Sequence, residues 1–415
     1  MSIHDNIHIR KNAAAGLLDF LRAEGVSRAV VVADTTTFDV AGRSLAAELA
    51  GQGLETTEIV LEGEEVIADE RYLVKLFSRA PLADCMFVAV GSGTITDITR
   101  FVSHRMKQPF VSYPTAASVD GFTSVGAPLI LEGVKRTLIC QAPSAIYADV
   151  EILRDAPAEL TAAGFADMLA KVTSRADWKL GAELWNEPYD EAISARVREA
   201  VQQCLAAGQA LASGDERGFA TLMETLAESG LCMLDYGASR PASGAEHHMS
   251  HFWEMQLLRE GRPAILHGAK VGVATALSAE LYERIRSMSA DDARRALATR
   301  TEPDIEADIA SIREAYGPLA ESVIAEHSPF LRMDVSEYRE IASRIVEKWD
   351  LVQEIAAEVP PAREIRDAIA ALGGPVHTSE LALSAEAIDN GYRNGHFLRN
   401  RFTVVKLARM LGVHR

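Results

Sequence analysis

The sequence predicts an α/β protein of two domains: an N-terminal α/β domain with a mostly parallel sheet over residues 1–152, and an all-α C-terminal domain over residues 153–415. Three observations predict it. Strand and helix signals alternate through the N-terminal part, as they do where helices cover both faces of a parallel sheet. From Pro157 onward the chain is rich in Ala, Leu and Glu at helical spacing, with few strand signals. Its 415 residues also exceed the ~250–300 at which a single hydrophobic core stops growing.

The elements follow in order. Ala29, Val30, Val31, Val32 and Ala33 form a continuous apolar run, as in a strand buried on both faces. A helix is predicted over 38–54, ended by Gly51 and Gly53. Residues 58–61 read as a second strand, 71–79 as a helix, 85–90 as a third strand and 110–113 as a fourth. A further strand is expected over 137–140. The domain boundary falls within 149–155. Beyond it, helices are predicted over 159–182, 189–212, 216–234, 243–259, 266–286, 303–315, 335–358, 363–372 and 395–411. A cleft between two domains is the usual place for a small-molecule site.

Hydrophobic residues make up 48% and charged residues 24%, ordinary for a globular enzyme. The apolar runs are strand-length, well short of the ~20 residues of a membrane span. No secretion signal is read at the N-terminus, so a cytoplasmic location is expected. Cys85, Cys140, Cys204 and Cys232 are scattered and fit neither a CxxC metal site nor a disulfide framework, so free thiols in a reducing compartment are expected. The net charge of −17 argues against nucleic acid and anionic membranes as partners. It also means that an anionic substrate needs a locally positive pocket.

Four stretches carry chemistry. Gly91-Ser92-Gly93-Thr94, with Asp97, follows a strand and opens a helix. Glycines there let the backbone approach a phosphate at a helix N-terminus, although alone they equally suit a tight strand-to-helix turn. Thr115, Ser118, Asp120 and Ser124 follow the next strand on the same sheet edge, where ligands bind in open α/β sheets; a polar capping loop is the plainer alternative. His247 and His251 share one helix face at i, i+4, and His267 lies nearby just before Gly268; this is a moderate metal signal, against which stand histidines without metal. His248 points off that face. Asp167, among apolar neighbours early in a helix, offers a carboxylate that is costly there unless paired or ligating; helix capping is the other reading.

Taken together, in order and spacing over residues 85–275, these stretches resemble the glycerol-1-phosphate dehydrogenase family, within the superfamily of iron-containing alcohol dehydrogenases and dehydroquinate synthases. The resemblance implies a dehydroquinate synthase-like fold, with a dinucleotide-binding first domain and a metal- and substrate-binding second domain. It implies an NAD- or NADP-dependent oxidoreductase that interconverts dihydroxyacetone phosphate and sn-glycerol 1-phosphate. Asp167, His247 and His267 would hold one divalent ion, with zinc, nickel and iron all compatible. Gly91, Ser92, Gly93, Thr94 and Asp97 would form the pyrophosphate turn, and Thr115, Ser118 and Ser124 would add cofactor contacts. Asp120 and His251 would bind substrate, Asp167 reaching it too, and His251 would relay the hydroxyl proton. A homo-oligomer, a dimer, is implied as well.

The substrate phosphate needs cations. Lys171, four residues after Asp167, and Lys135-Arg136, just before the strand at 137, are the candidates, with Arg393, Arg399 and Arg401 further along; solvated charges are the plainer reading of all but Lys171. Two rival activities share the scaffold. One is another polyol or glycerol dehydrogenase, which would not need the extra cations. The other is a sugar-phosphate cyclase similar to dehydroquinate synthase, whose family carries Glu at the position of Asp167.

Overall fold

The computed structural model describes residues 3–299 and 302–414. The chain forms two compact units, Met1–Met168 with Gln202–Gly237, and Leu169–Val201 with Ala238–Arg415. The expected boundary at 152 falls inside the first unit, because helices that follow it pack onto the sheet domain, as described below.

In the first unit, strands β1 (Ile7–Arg10), β2 (Arg28–Asp34), β3 (Glu55–Leu61), β4 (Met86–Gly91), β5 (Phe110–Pro114) and β8 (Ala145–Asp149) form one sheet in the order β1-β8-β5-β4-β2-β3. Every pairing in it is parallel. Successive side chains of a strand point to opposite faces, so β2 feeds two cores. Val31 packs with Leu17, Leu45, Val88 and Val111 on one face. Val30 and Val32 pack with Leu76, Phe87, Ile98 and Phe110 on the other. The β2, β4 and β5 runs are therefore apolar without alternation.

Two strands of this sheet, β1 and β8, were not expected from the sequence. Nor was β6 (Gly126–Leu131), which forms an antiparallel hairpin with β7 (Val134–Ile139), the strand expected over 137–140. The hairpin's two-residue loop has Glu132 at φ 54° and Gly133 at φ 72°, the left-handed pair that a tight hairpin demands. Lys135 and Arg136 therefore lie within a strand, opposite Ile130 and Leu129, and not ahead of it. The helix expected over 38–54 is two pieces, a π-helical turn at Phe38–Gly42 and Arg43–Gly51, and a short turn of helix at Thr35–Thr37 precedes them.

Helix α1 (Gly93–Arg105) follows β4, and α2 (Ala158–Leu169) and α4 (Glu216–Tyr236) complete the part of the first unit that matters here. The helix α4 packs on β1 and on the short helix Val150–Asp155.

The second unit contains α3 (Lys171–Trp185), α5 (Ala245–Arg259), α6 (His267–Arg286) and α7 (Val404–Leu411). The last of these corrects the helix expected over 395–411. Only a single 3₁₀ turn, Gly395–Phe397, precedes α7, because the intervening segment is tied to other elements. Arg401 donates to the Ser243 carbonyl and the Ser239 hydroxyl, and the Phe402 N–H donates to Glu187. The expected helices over 159–182, 189–212 and 335–358 are each divided in two, and Ala290–Thr299, Ala320–Glu326 and Ala385–Asn394 are helices the sequence reading did not anticipate. Among the described residues no helix is long and apolar enough to cross a membrane. All four cysteines carry free thiols.

Candidate metal and cofactor site

The β4–α1 turn is built by close packing. A Cβ on Gly91 would lie 2.7 Å from Ile95 Cβ, and one on Gly93 would lie 3.2 Å from Val119 Cγ2. Ser92 takes the N-cap position, yet its hydroxyl turns away from the helix and sits 2.7 Å from the Ser118 hydroxyl. The first N–H groups of α1 lack intrahelical acceptors, as in any helix, and with the helix dipole they favour an anion. The Thr115 N–H donates to the Gly91 carbonyl at 3.3 Å, so the turn and the loop 115–124 are joined by both backbone and side chain.

Asp97 faces inward on α1. Its Oδ1 accepts from Arg100 Nη1 at 2.7 Å, and the fully buried guanidinium also donates to the carbonyls of Gly126, Gly121 and Phe122 at 2.8, 2.8 and 3.0 Å. Burial pushes the Asp97 carboxyl up to about 7, against the pull of Arg100. The pair shapes the loop. Ser124 serves the same loop, donating to the Gly121 carbonyl at 3.2 Å.

Two glycines clamp that loop between helices. A Cβ on Gly164 of α2 would lie 1.9 Å from the Ala117 carbonyl oxygen. One on Gly230 of α4 would lie 2.0 Å from Thr123 Oγ1 and 2.5 Å from the Asp120 carbonyl oxygen. The same surfaces bond: Thr123 Oγ1 donates to the Ala227 carbonyl at 3.0 Å, and Ser229 Oγ donates to Asp120 Oδ2 at 2.8 Å. Asp167, one turn beyond Gly164 and fully buried, accepts the Asp120 N–H on Oδ2 at 3.1 Å.

In the second unit, His247 and His251 lie one turn apart on α5, and His267 opens α6. The ring centroids of His247 and His267 are 5.3 Å apart, those of His251 and His267 5.5 Å, and those of His247 and His251 6.1 Å. One ligand atom each from Asp167, His247 and His267 lies within 4.8 Å of the others. His251 is outside that trio; its Nδ1 is 3.4 Å from Glu254 Oε2. The donor set of one carboxylate and two imidazoles fits a divalent zinc, nickel or iron ion. His248 is buried on another face of α5, and burial holds its pKa well below the ordinary histidine value.

Two features behind the histidines were not anticipated. Glu246, fully buried, faces His247 Nδ1 at 2.9 Å. Asp177 accepts from the Ala245 N–H and the Tyr282 hydroxyl, both at 2.7 Å. The signal available for Glu246 was an acid inside an otherwise buried helical stretch, next to a histidine. Of the candidate cations, Lys171 is fully buried at the start of α3. Arg136 and Arg399 are exposed, and Arg393 pairs with Asp389 at 2.9 Å. A separate polar cavity of about 760 Å³ in the second unit, lined by Phe252, Arg259, Arg393 and Arg409 among others, touches none of the trio.

Comparison with known proteins gives a consistent picture. The family model described as iron-containing alcohol dehydrogenase matches residues 8–157. The chain is 38% identical over 405 residues to glycerol-1-phosphate dehydrogenase [NAD(P)+] of Geobacillus thermodenitrificans, covering 97% of this chain and 91% of the relative. It is 36% identical to the enzyme of that name from Bacillus subtilis, covering 97% and 90%. Among solved structures, a glycerol dehydrogenase from Schizosaccharomyces pombe aligns with a TM-score of 0.63 at 16% identity, over 98% of this chain and 87% of that one. A sulfoacetaldehyde reductase from Bifidobacterium kashiwanohense, solved with NAD+, aligns at 0.60 and 14% identity, over 99% and 95%. These structures share the fold.

Proposed function

The chain belongs to the glycerol-1-phosphate dehydrogenase family, and from that premise we propose that it interconverts dihydroxyacetone phosphate and sn-glycerol 1-phosphate with NAD(P). The observation that carries the reading is the convergence of Asp167, His247 and His267 in a chain so similar, end to end, to enzymes of that name. A divalent ion bound by this trio, zinc in our reading, supplies a Lewis acid for negative charge on the substrate's C2 oxygen, and the nicotinamide supplies or takes the hydride.

The protein's own groups do the rest. Gly91, Ser92, Gly93 and Thr94 receive the cofactor pyrophosphate at the α1 N-terminus, helped by Thr115 and Ser118. Asp97 and Ser124 act by holding the loop in shape. Asp120, steadied by Ser229, accepts a substrate hydroxyl. His251, partly exposed beside the trio, moves the hydroxyl proton. Lys171 supplies positive charge for the substrate phosphate. We take the first unit as the cofactor-binding part and the second as the main source of metal and substrate groups, in a cytoplasmic homodimer without nucleic-acid or membrane partners.

The test follows NADH and NADPH oxidation with dihydroxyacetone phosphate, dihydroxyacetone and glyceraldehyde 3-phosphate, and assays product stereochemistry. Reduction of dihydroxyacetone phosphate alone, to the sn-1 product, is expected. Faster turnover of unphosphorylated dihydroxyacetone would overturn the proposal in favour of a polyol dehydrogenase.

A further inference from the structure

We propose that Glu246 is a positioning residue of the metal centre, fixing His247 in the tautomer that leaves Nε2 for the ion. The inference rests on the ligand set proposed above and adds a group to it that touches neither ion nor substrate.

The carboxylate is fully buried, and among the described residues no lysine or arginine lies within ion-pair distance of it; the titratable ring it touches is that of His247. Burying a carboxylate without a cation is costly unless hydrogen bonds and a specific role compensate. Here the bonds are complete. Oε1 accepts the Gly244 N–H at 2.6 Å and faces His247 Nδ1 at 2.9 Å. Oε2 accepts the Thr173 hydroxyl at 2.8 Å. An ionised carboxylate only accepts, so the proton in the contact with His247 sits on Nδ1. The Nε2 lone pair is then the one available to a metal, and the ring plane is set by a rigid acceptor.

The neighbouring structure holds that acceptor still. Asp177 accepts the Ala245 N–H, the Val404 N–H and the Tyr282 hydroxyl, each at 2.7 Å. It thereby ties the first turns of α5 and α7 to the C-terminal part of α6. Both carboxylates converge on Gly244, where a Cβ would lie 2.6 Å from Asp177 Oδ2 and 2.9 Å from Glu246 Oε2. The N-terminus of α5, with its positive dipole end, is thus packed against two acids.

The test is the zinc affinity of the full-length protein, by competition with a chromophoric chelator, and the visible spectrum of the cobalt-loaded form. Glu246→Gln keeps the size but offers the imidazole an N–H as readily as an acceptor. It should weaken zinc binding about 10–100-fold and change the cobalt spectrum, with the unfolding temperature of the metal-free protein unchanged. Thr173→Val, which removes the hydroxyl shared between Oε2 and the Ala170 carbonyl, should weaken zinc about fivefold and serves if Glu246→Gln does not fold. Wild-type affinity and an unaltered cobalt spectrum in the folded variants would overturn the proposal. Absence of zinc binding by the wild type would instead overturn the ligand set on which it rests.

Discussion

The backbone N–H of Asp120 donates to Oδ2 of Asp167 at 3.1 Å. The carboxylate that offers itself to a metal is therefore also the acceptor that holds the loop after β5. Metal affinity and loop order share one side chain, and the two can be separated by the choice of substitution. Asp167→Asn retains an oxygen for the Asp120 N–H and should fold, while losing most of the affinity for zinc. Asp167→Ala also leaves that N–H unpaired, adding about 1–3 kcal/mol of destabilisation. Urea unfolding of the metal-free variants beside a zinc titration checks both parts.

Gly164 is a second point of leverage on the same loop. The atom that a new Cβ would meet at 1.9 Å is a backbone oxygen, which cannot rotate away. Gly164→Ala should cost about 2 kcal/mol or more, at the upper end of overpacking effects. It should also weaken zinc binding, because Asp167 rides on the same helix one turn on. Wild-type stability in this variant would show that α2 moves freely against the loop.

Arg100 donates through both terminal nitrogens, to Asp97 and to three carbonyls of the loop. Arg100→Met leaves the Asp97 carboxyl and three loop carbonyls without their donor, and should cost at least about 1–3 kcal/mol. The double variant Asp97→Asn, Arg100→Met should recover part of that loss, since the amide can donate to a carbonyl that the guanidinium vacates. NADH affinity should fall in both, measured by fluorescence titration, if the pair shapes the cofactor loop.

The histidines buried in the second unit predict how stability varies with pH. Burial, reinforced by Lys406 at 3.0 Å from its Nε2, lowers the His327 pKa to about 2. His396, between Lys406 and Arg409, is pushed well below its ordinary value for the same reasons. Unfolding lets each take up a proton below its ordinary value of about 6.5. The unfolded state then binds more protons, so stability is present above that pH and is lost as pH falls below it. Each histidine contributes a slope approaching about 1.4 kcal/mol per pH unit. His327→Gln should reduce the slope between pH 6 and 5 by up to that amount, read from urea midpoints; an unchanged slope would contradict the assignment.

What the sequence made legible and what it hid have physical reasons. The strands β2, β4 and β5 are buried on both faces, so their apolar runs stand out. β1 is four residues long, and β6 carries Gly126 and Pro128, so neither reads as a strand. The glycine turn and the histidine pair are local patterns and could be found by spacing. The groups that orient them are not local. Thr173 is 73 residues from Glu246, and Asp177 is 227 residues from Val404. Arg100 could have been guessed from its i, i+3 spacing to Asp97, but its three carbonyl acceptors appear only once the loop is folded. The segment 398–403 looked helical because its tertiary bonds were invisible.

In the proposed function a single divalent ion, held by the trio, makes this chain a reductase of dihydroxyacetone phosphate. The most direct measurement strips the protein with a chelator, adds back zinc in steps, and records the rate of dihydroxyacetone phosphate reduction by NADH or NADPH. Activity should be absent in the stripped protein and rise to a plateau at one equivalent of zinc per chain. Full activity without metal, or a chain that binds its equivalent of zinc and reduces nothing, would contradict the proposed function.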